Sequence, residues 1–238
     1  MKTMIKSICL VAGILFATAA SAQSTEEILA KHEAAMGGAD KWATVKTAVV
    51  KNKFNVQGMD IESKTSLVIG KSFRTEIEVM GNKIITVIDG DKGWMNRPAM
   101  MGGTGAPEDM PAEQVKMAGS QKTLGSILTN AKKDGYKIEL VSKEKLDGAD
   151  VYLLTVTKPS GEDSKVYVST ATNFVVKTQA KVQVNGQEVD SEVSFSNYKM
   201  VNGLAFPHTV ETPSPMGGTM TVETVSVEIN PTIDAGIF

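Results

Sequence analysis

The sequence predicts an α+β domain in which about ten antiparallel strands form one sheet and two or three helices pack against it. Short segments that alternate apolar and polar residues follow one another through most of the chain, as in half-buried antiparallel strands. Helical spacing of apolar residues is confined to the region near the start and to residues 111–133. A succession of strands with one helical insertion favours an antiparallel sheet over alternating strands and helices.

The stretch from residue 71 to residue 98 organises this prediction, because it holds two adjacent strands, a turn and a tryptophan. The residues of its first strand divide between an apolar and a polar face: Phe73, Thr75, Ile77 and Val79 on one, and Arg74, Glu76 and Glu78 on the other. A second strand, which carries Ile85 and Val87, has little polar surface and ends at the turn Asp89-Gly90. We expect the apolar face to line a core or a cavity and the polar face, Arg74 included, to face water.

The first 22 residues have the pattern of a secretory signal peptide. Two lysines precede an apolar run over residues 8–16, and Ala20-Ser21-Ala22 fits a cleavage site before Gln23. We therefore expect export to the periplasm and a single mature domain over residues 23–238. The apolar run is too short to span a bilayer comfortably, so no membrane-spanning helix is expected. Because the new N-terminus would be Gln23 and Cys9 is the only cysteine, neither a lipid anchor nor a disulfide is expected.

Two helices are predicted near the start of the mature region. Ser24-Thr25-Glu26-Glu27 fits a capping box, and helical spacing continues to Gly37-Gly38. His32 falls on the apolar stripe of this helix, where a packing role is favoured over a chemical one. A short second helix over residues 40–45 carries Trp42.

The strands that follow are defined by alternation and by turn residues. We expect them at residues 48–57, 59–69, 137–146, 151–157, 165–169, 205–211 and 220–229. Residues 174–184 form the best-specified strand, because Asn185-Gly186 is a two-residue hairpin turn and Val189, Val193 and Phe195 carry the returning strand.

A loop and a helix interrupt the strands. Glycines and prolines break every regular pattern between residues 97 and 110, which predicts a long loop and a candidate lid. Residues 111–133 then favour a helix, interrupted near Gly119, with Leu124 and Leu128 on its apolar stripe.

Few residues offer catalytic chemistry. The formal net charge is −2, which argues against a nucleic-acid partner, because phosphate binding needs a basic patch. Beyond Cys9 the sequence has no cysteine, and it lacks the GxSxG, HExxH, Walker and GxGxxG patterns. His32 and His208 lack metal-ligand spacing, while Glu76 and Glu78 share a strand face that they solvate. We therefore expect no enzyme activity, no metal and no cofactor.

Methionines around the loop indicate an adaptable apolar surface, although they could equally fill gaps in an ordinary core. They are Met95, Met100, Met101, Met110 and Met117. Methionine suits sites that accommodate flexible apolar ligands. Since burial contributes about 0.8 kcal/mol per methylene, an acyl chain could bind there with little polar recognition.

Three segments resemble one known family. DGDKGWMNRP has the form D-G-x3-W-x3-P, YKMVNGLAFPHTVET has the form Tyr-x4-Gly-x2-Phe-Pro, and EEILAKHEAAMGGADKWATVKT opens the mature region. Together they resemble the periplasmic lipoprotein carrier LolA and related outer-membrane lipoprotein-sorting proteins. The resemblance implies a curved, incomplete antiparallel β-barrel whose concave face is covered by helices and a loop. It places Asp89 and Gly90 on the family's turn, Trp94 on its aromatic position and Pro98 on its proline.

The sequence departs from LolA at a basic residue that these carriers have ahead of the strand aromatic. That position falls here on Ile69, with Gly70 at the adjoining proline, and Lys71 is the nearest cation of matching strand parity. The departure favours a divergent relative with its own ligand.

The resulting hypothesis is a periplasmic carrier of acyl chains, from lipoproteins or other envelope lipids, that exchanges cargo with inner- and outer-membrane sorting proteins. Its predicted cavity residues are Ile69, Lys71, Phe73, Ile77, Val79, Ile85, Val87, Trp94, Met100 and Met101. A periplasmic sensor or protein-interaction module on the same fold is the alternative, and a lipid-modifying enzyme is the third interpretation.

Overall fold

The computed structural model describes residues 24–129, 131, 133–184, 187–214 and 217–238. These residues form one antiparallel sheet of thirteen strands, built from two consecutive meanders. The first meander consists of β1 (Thr47–Val56), β2 (Met59–Val68), β3 (Ser72–Val79), β4 (Asn82–Asp89), β5 (Lys92–Asn96) and β6 (Pro107–Asp109). The second consists of β7 (Lys137–Leu146), β8 (Ala149–Thr157), β9 (Asp163–Ser169), β10 (Val175–Val184), β11 (Gln187–Val201), β12 (Leu204–Pro213) and β13 (Thr219–Ile229). The predicted signal peptide and the turn Asn185-Gly186 lie outside the described residues.

The two meanders join where β1 pairs with β13, so the last strand of the chain lies beside the first. Among the described strands, β6 and β7 form the two edges and do not pair with each other, which leaves the sheet open. The antiparallel α+β class is confirmed, whereas the predicted count of about ten strands is too low. β5 was missed because its sequence KGWMN does not alternate apolar and polar residues, and β6 because three residues are too few to display a period of two. Pro107 can begin β6 because an edge strand has no partner on one side.

Three helices pack on one face of the sheet, here called the inner face. They are α1 (Thr25–Ala35), α2 (Ala39–Ala43) and α3 (Ala112–Ala118). The predicted capping box is present: the Glu27 backbone N–H donates to Ser24 Oγ, and the Ser24 N–H donates to the Glu27 carboxylate. After α1 the chain turns at Gly37, with φ +108°, where a Cβ would overlap the carbonyl oxygen of Gly203.

The region between residues 97 and 133 differs from the prediction in two ways. The expected loop contains a 3₁₀ helix at Ala99–Met101 and the strand β6. The expected helix ends at Gly119 and continues only as a 3₁₀ helix, Gly119–Lys122. Beyond it Thr123 is extended and Gly125 has φ +97°, a backbone conformation that no α-helix contains. Leu124 and Leu128 therefore lie in an irregular segment that covers the sheet.

Three apolar clusters share the inner face. One lies under α1 and contains Ile28, Leu154 and Val166. A central one surrounds Trp42 and Phe206, and a third lies under α3 around Phe73. Between the first two clusters, the inner face of the second meander borders a cavity.

Candidate functional site

An apolar cavity of about 530 Å³ lies between the inner face of the second meander and the segment that follows the second 3₁₀ helix. Cross-strand pairing brings its lining together. Phe195 of β11 pairs with Val210 of β12, which in turn pairs with Val222 of β13. Thr178 of β10 pairs with Val193 of β11 on the same face. The volume falls within the range of about 300–1,000 Å³ that small-molecule sites occupy.

Small residues in facing positions leave this space open. Ala180 lies between Ser164 on one neighbouring strand and Ser191 on the other. A bulge in β10 between Val175 and Lys177 shifts the alternation of side chains. As a result Val175 lines the same cavity as Thr178 and Ala180. Three short side chains in one row cannot fill the space that larger residues would occupy.

The cavity is roofed by Met36, which follows α1, and by residues 124–127. A buried histidine holds the roof in place. The Nδ1 of His32 lies 2.7 Å from the carbonyl oxygen of Asn173, and its Nε2 lies 2.7 Å from Ser126 Oγ. Because a carbonyl only accepts, Nδ1 carries the proton, and Nε2 accepts from the Ser126 hydroxyl. His32 thus connects α1, the β9–β10 turn and the roof.

Burial lowers the pKa of His32, which is only 2% exposed, and the hydrogen bond to Asn173 offsets part of this effect. The neutral form is therefore the one that fits the observed contacts. Ser126 is itself braced, since its hydroxyl accepts from the Leu128 N–H and its own N–H donates to Thr129 Oγ1. Hydrogen bonds therefore fix the roof, which covers an apolar cavity.

The apolar end of the cavity contains an ordered aromatic group. Tyr198 stacks on Phe174 with ring centroids 4.1 Å apart, and its hydroxyl donates to the carbonyl oxygen of Val175 at 2.8 Å. Burial raises the pKa of the Tyr198 phenol, so it stays protonated and keeps that hydrogen bond. Phe206 meets Trp42 edge-on at 5.4 Å between ring centroids. These contacts give the cavity a preformed apolar end.

None of the ten cavity residues expected from the sequence lines this cavity. Phe73 is 1% exposed and packs with Leu67, Ile88 and Val115 under α3. Ile69 packs against the same cluster. Ile77 and Val79 have the inner-face parity of Phe73, but Ile77 borders a polar groove with Glu76 and Lys83. Lys71 is exposed in the turn before β3.

Three of the expected residues lie on the opposite, outer face of the sheet. Val87 pairs with Arg74 and with Trp94, so all three side chains have the parity opposite to Phe73. Ile85 pairs with Glu76 and shares that face.

The expectation that Arg74 faces water is wrong. Its guanidinium lies 5.8 Å from the centroid of the Trp94 ring, and its Nη1 donates to the carbonyl oxygen of Ile237. The C-terminal segment therefore covers this part of the outer face. Arg74 also forms an ion pair with Glu76 at 2.8 Å, and that arginine lowers the pKa of the Glu76 carboxyl despite partial burial.

The methionine-rich loop does not cover the cavity. Met100 is 69% exposed, and its sulfur accepts a hydrogen bond from Asn82 Nδ2. Met101 is half-buried beside it. Pro98 precedes the first 3₁₀ helix, Asp89 ends β4, and Gly90 lies in the β4–β5 turn. The roof consists of residues 124–127 instead. The sequence feature that could have indicated this site is the set of small residues Ser164, Ala180 and Ser191. They are far apart in the sequence and become neighbours only through strand pairing.

The described residues offer no group of three or more histidine, cysteine or acidic side chains that could hold a metal ion. His208 Nδ1 lies 3.1 Å from the carbonyl oxygen of Phe206. No helix in the described part of the chain is long and apolar enough to cross a membrane.

An open antiparallel sheet with three helices on one face is the LolA-like fold, and comparison with solved structures gives the same class. A LolA superfamily protein from Nitrosomonas europaea superposes with a TM-score of 0.59 at 14% identity, covering 90% of this chain and 97% of that one. A DUF1329 family protein from Desulfovibrio piger superposes with a TM-score of 0.57 at 15% identity, and the match covers 89% of this chain and 96% of that one. A putative outer membrane lipoprotein-sorting protein domain from Vibrio parahaemolyticus superposes with a TM-score of 0.52 at 14% identity, and the match covers 88% of this chain and 94% of that one. No protein-family model and no curated protein matches the sequence.

Proposed function

We propose that the protein is a non-enzymatic carrier of the cell envelope that holds acyl chains in the cavity of the second meander. The observation that carries this proposal is a preformed, roofed, largely apolar cavity on a LolA-like fold. The predicted signal peptide supports a periplasmic location, where envelope lipids or lipoproteins would be the cargo and membrane-bound sorting proteins the donors and acceptors.

Apolar burial alone provides enough affinity for such a ligand. Each methylene transferred from water contributes about 0.8 kcal/mol, so a long chain needs few polar contacts. Val193, Val210 and Val222 present branched aliphatic surface from three adjacent strands.

A charge placed in the cavity tests the proposal. Val193→Asp should abolish binding of a fluorescent fatty acid, because the carboxylate keeps water in the cavity or is desolvated at a cost of several kcal/mol. Val141→Asp is the matched control, since Val141 is 57% exposed at a bulge in the edge strand β7. It should bind normally, and thermal melts must show that both variants are folded.

Native mass spectrometry of the protein purified from its own envelope separates the carrier from the alternative module. Co-purified acyl species that are absent from Val193→Asp support the carrier. A ligand-free mass together with a bound protein partner would favour the sensor or interaction module. A folded Val193→Asp protein that binds fatty acid as well as the wild type would refute the assignment of this cavity.

A further inference from the structure

The cavity has two unlike ends. At one end Ser164, Ala180 and Ser191 form a row across three strands, close to the turn between β8 and β9. At the other end lie Met36 and Phe206, in the central apolar cluster. A ligand that matches both ends must itself have a polar and an apolar end.

A lysine side chain lies at the polar end of the cavity. Among the described residues that line the cavity, Lys158 alone is charged. Its Nζ lies 2.8 Å from Glu162 Oε2, and the two side chains are 36% and 65% exposed. An ion pair this solvated is weak, so an anionic group can share the ammonium with Glu162 or displace it. The hydrogen bond and charge of Lys158 lower the pKa of the Glu162 carboxyl, and Lys116 of α3 contributes a smaller effect of the same sign.

The volume of the cavity is close to that of one acyl chain. At about 30 Å³ for a group the size of a water molecule or a methylene, about 18 such groups fill the cavity. The stretch of β11 from Ser191 to Tyr198 runs about 24 Å at about 3.4 Å per residue. One leaflet of a bilayer core is about 15 Å thick. The cavity thus has the length and volume of one long acyl chain, and three chains of a lipoprotein exceed it.

We propose that the ligand is a single long acyl chain with an anionic head group, seated with its head at Lys158 and its tail towards Met36 and Phe206. This inference rests on the proposed carrier function and specifies its cargo. A fatty acid and a lysophospholipid with an anionic head share this chemistry.

Binding is measured by displacement of a fluorescent fatty acid from the mature protein. The probes are palmitate, palmitoyl-lysophosphatidylglycerol, hexadecanol and a tripalmitoylated peptide. Lys158→Glu should weaken binding of the two anionic single-chain probes about tenfold and leave hexadecanol unchanged. Lys165→Glu is the matched control, because Lys165 is exposed on the outer face of β9, opposite Thr155 and Gln179. It should leave every probe unchanged.

Lys158→Gln removes the charge without adding repulsion against Glu162, and it should weaken the anionic probes by a smaller factor than Lys158→Glu. It serves as the test if Lys158→Glu lowers the melting temperature. The ratio of palmitate to lysophospholipid affinity then identifies which source of the anionic chain is preferred.

Two results would overturn the inference while leaving the carrier function intact. One is a tripalmitoylated peptide that binds more tightly than palmitate. The other is palmitate affinity that is the same in the wild type and in both Lys158 variants. If none of the four probes binds, the carrier function fails together with the inference.

Discussion

The two meanders of the sheet present the same kind of inner face but use it differently. Under α3, Phe73 and Ile88 fill the face of the first meander and Val115 closes it from above. Where β9, β10 and β11 of the second meander carry the short side chains Ser164, Ala180 and Ser191, the inner face is not filled, and the roof above it is fixed by the His32–Ser126 contact. The difference shows that a cavity arises where small side chains meet a covering segment with its own support.

The largest expected difference between the meanders is in stability. Phe73→Ala should lower the free energy of unfolding by about 3–5 kcal/mol, because it empties a fully packed site, and fatty-acid affinity should be unchanged. Phe195→Ala, beside a space that already exists, should cost about 1–2 kcal/mol and weaken fatty-acid binding. Urea unfolding and ligand titration measure both quantities. Equal stability losses, or loss of binding only in Phe73→Ala, would contradict this division of roles.

Larger side chains should also affect the stability of the two meanders differently. A Cβ at Gly93 would overlap the Ile88 side chain and lie 3.2 Å from Val115 Cγ2, so Gly93→Ala should destabilise by about 1–3 kcal/mol. Ala180→Leu projects into empty volume, so its stability should stay within about 1 kcal/mol of the wild type. The same change should reduce fatty-acid binding by occupying the site. If Ala180→Leu bound normally, the cavity would not be the ligand site.

Local patterns in the sequence predicted individual strands and the start of α1 better than they predicted the cavity. Alternation placed Phe73 on a buried face correctly, and the Ser24–Glu27 capping box began α1 as expected. The cavity escaped prediction because its lining comes from strands far apart in the sequence, such as those of Val50, Val193 and Val222. A β-bulge, which alternation alone does not reveal, also moved Val175 onto that face.

The outer face of the sheet also depends on contacts that local sequence patterns do not reveal. Strand parity placed Arg74 opposite Phe73, as observed, but parity does not tell what covers a face. The cover is the C-terminal segment, about 160 positions away in sequence, which accepts a hydrogen bond from Arg74 through the Ile237 carbonyl. Charge patterning alone therefore misjudged the exposure of this arginine.

The roof should make the second meander sensitive to acid. Because burial lowers the pKa of His32, the folded chain binds a proton there less readily than the unfolded chain does. This contribution to stability is complete above the ordinary histidine pKa of about 6.5 and declines as the pH falls below it towards the lowered folded value. Its slope is at most about 1.4 kcal/mol per pH unit.

Unfolding by urea at a series of pH values between about 7.5 and 5 measures this effect. His32→Gln removes the titrating group and should flatten the slope below neutral pH. A slope that is unchanged in His32→Gln would show that other groups cause the acid sensitivity.

The smallest expected signal comes from the two tryptophans, one in each region. Trp42 contacts Phe206, which lines the cavity, whereas Trp94 lies under Arg74 on the outer face of the first meander. Quenching of an indole by bromine requires near contact, so a brominated fatty acid should dim Trp42 in a Trp94→Phe variant. It should leave Trp94 nearly unaffected in a Trp42→Phe variant. Melting curves of both variants control for the loss of the Trp42 contacts with Met36 and Phe206. Stronger quenching of Trp94 than of Trp42 would move the lipid to the first meander, where the sequence pattern had placed it.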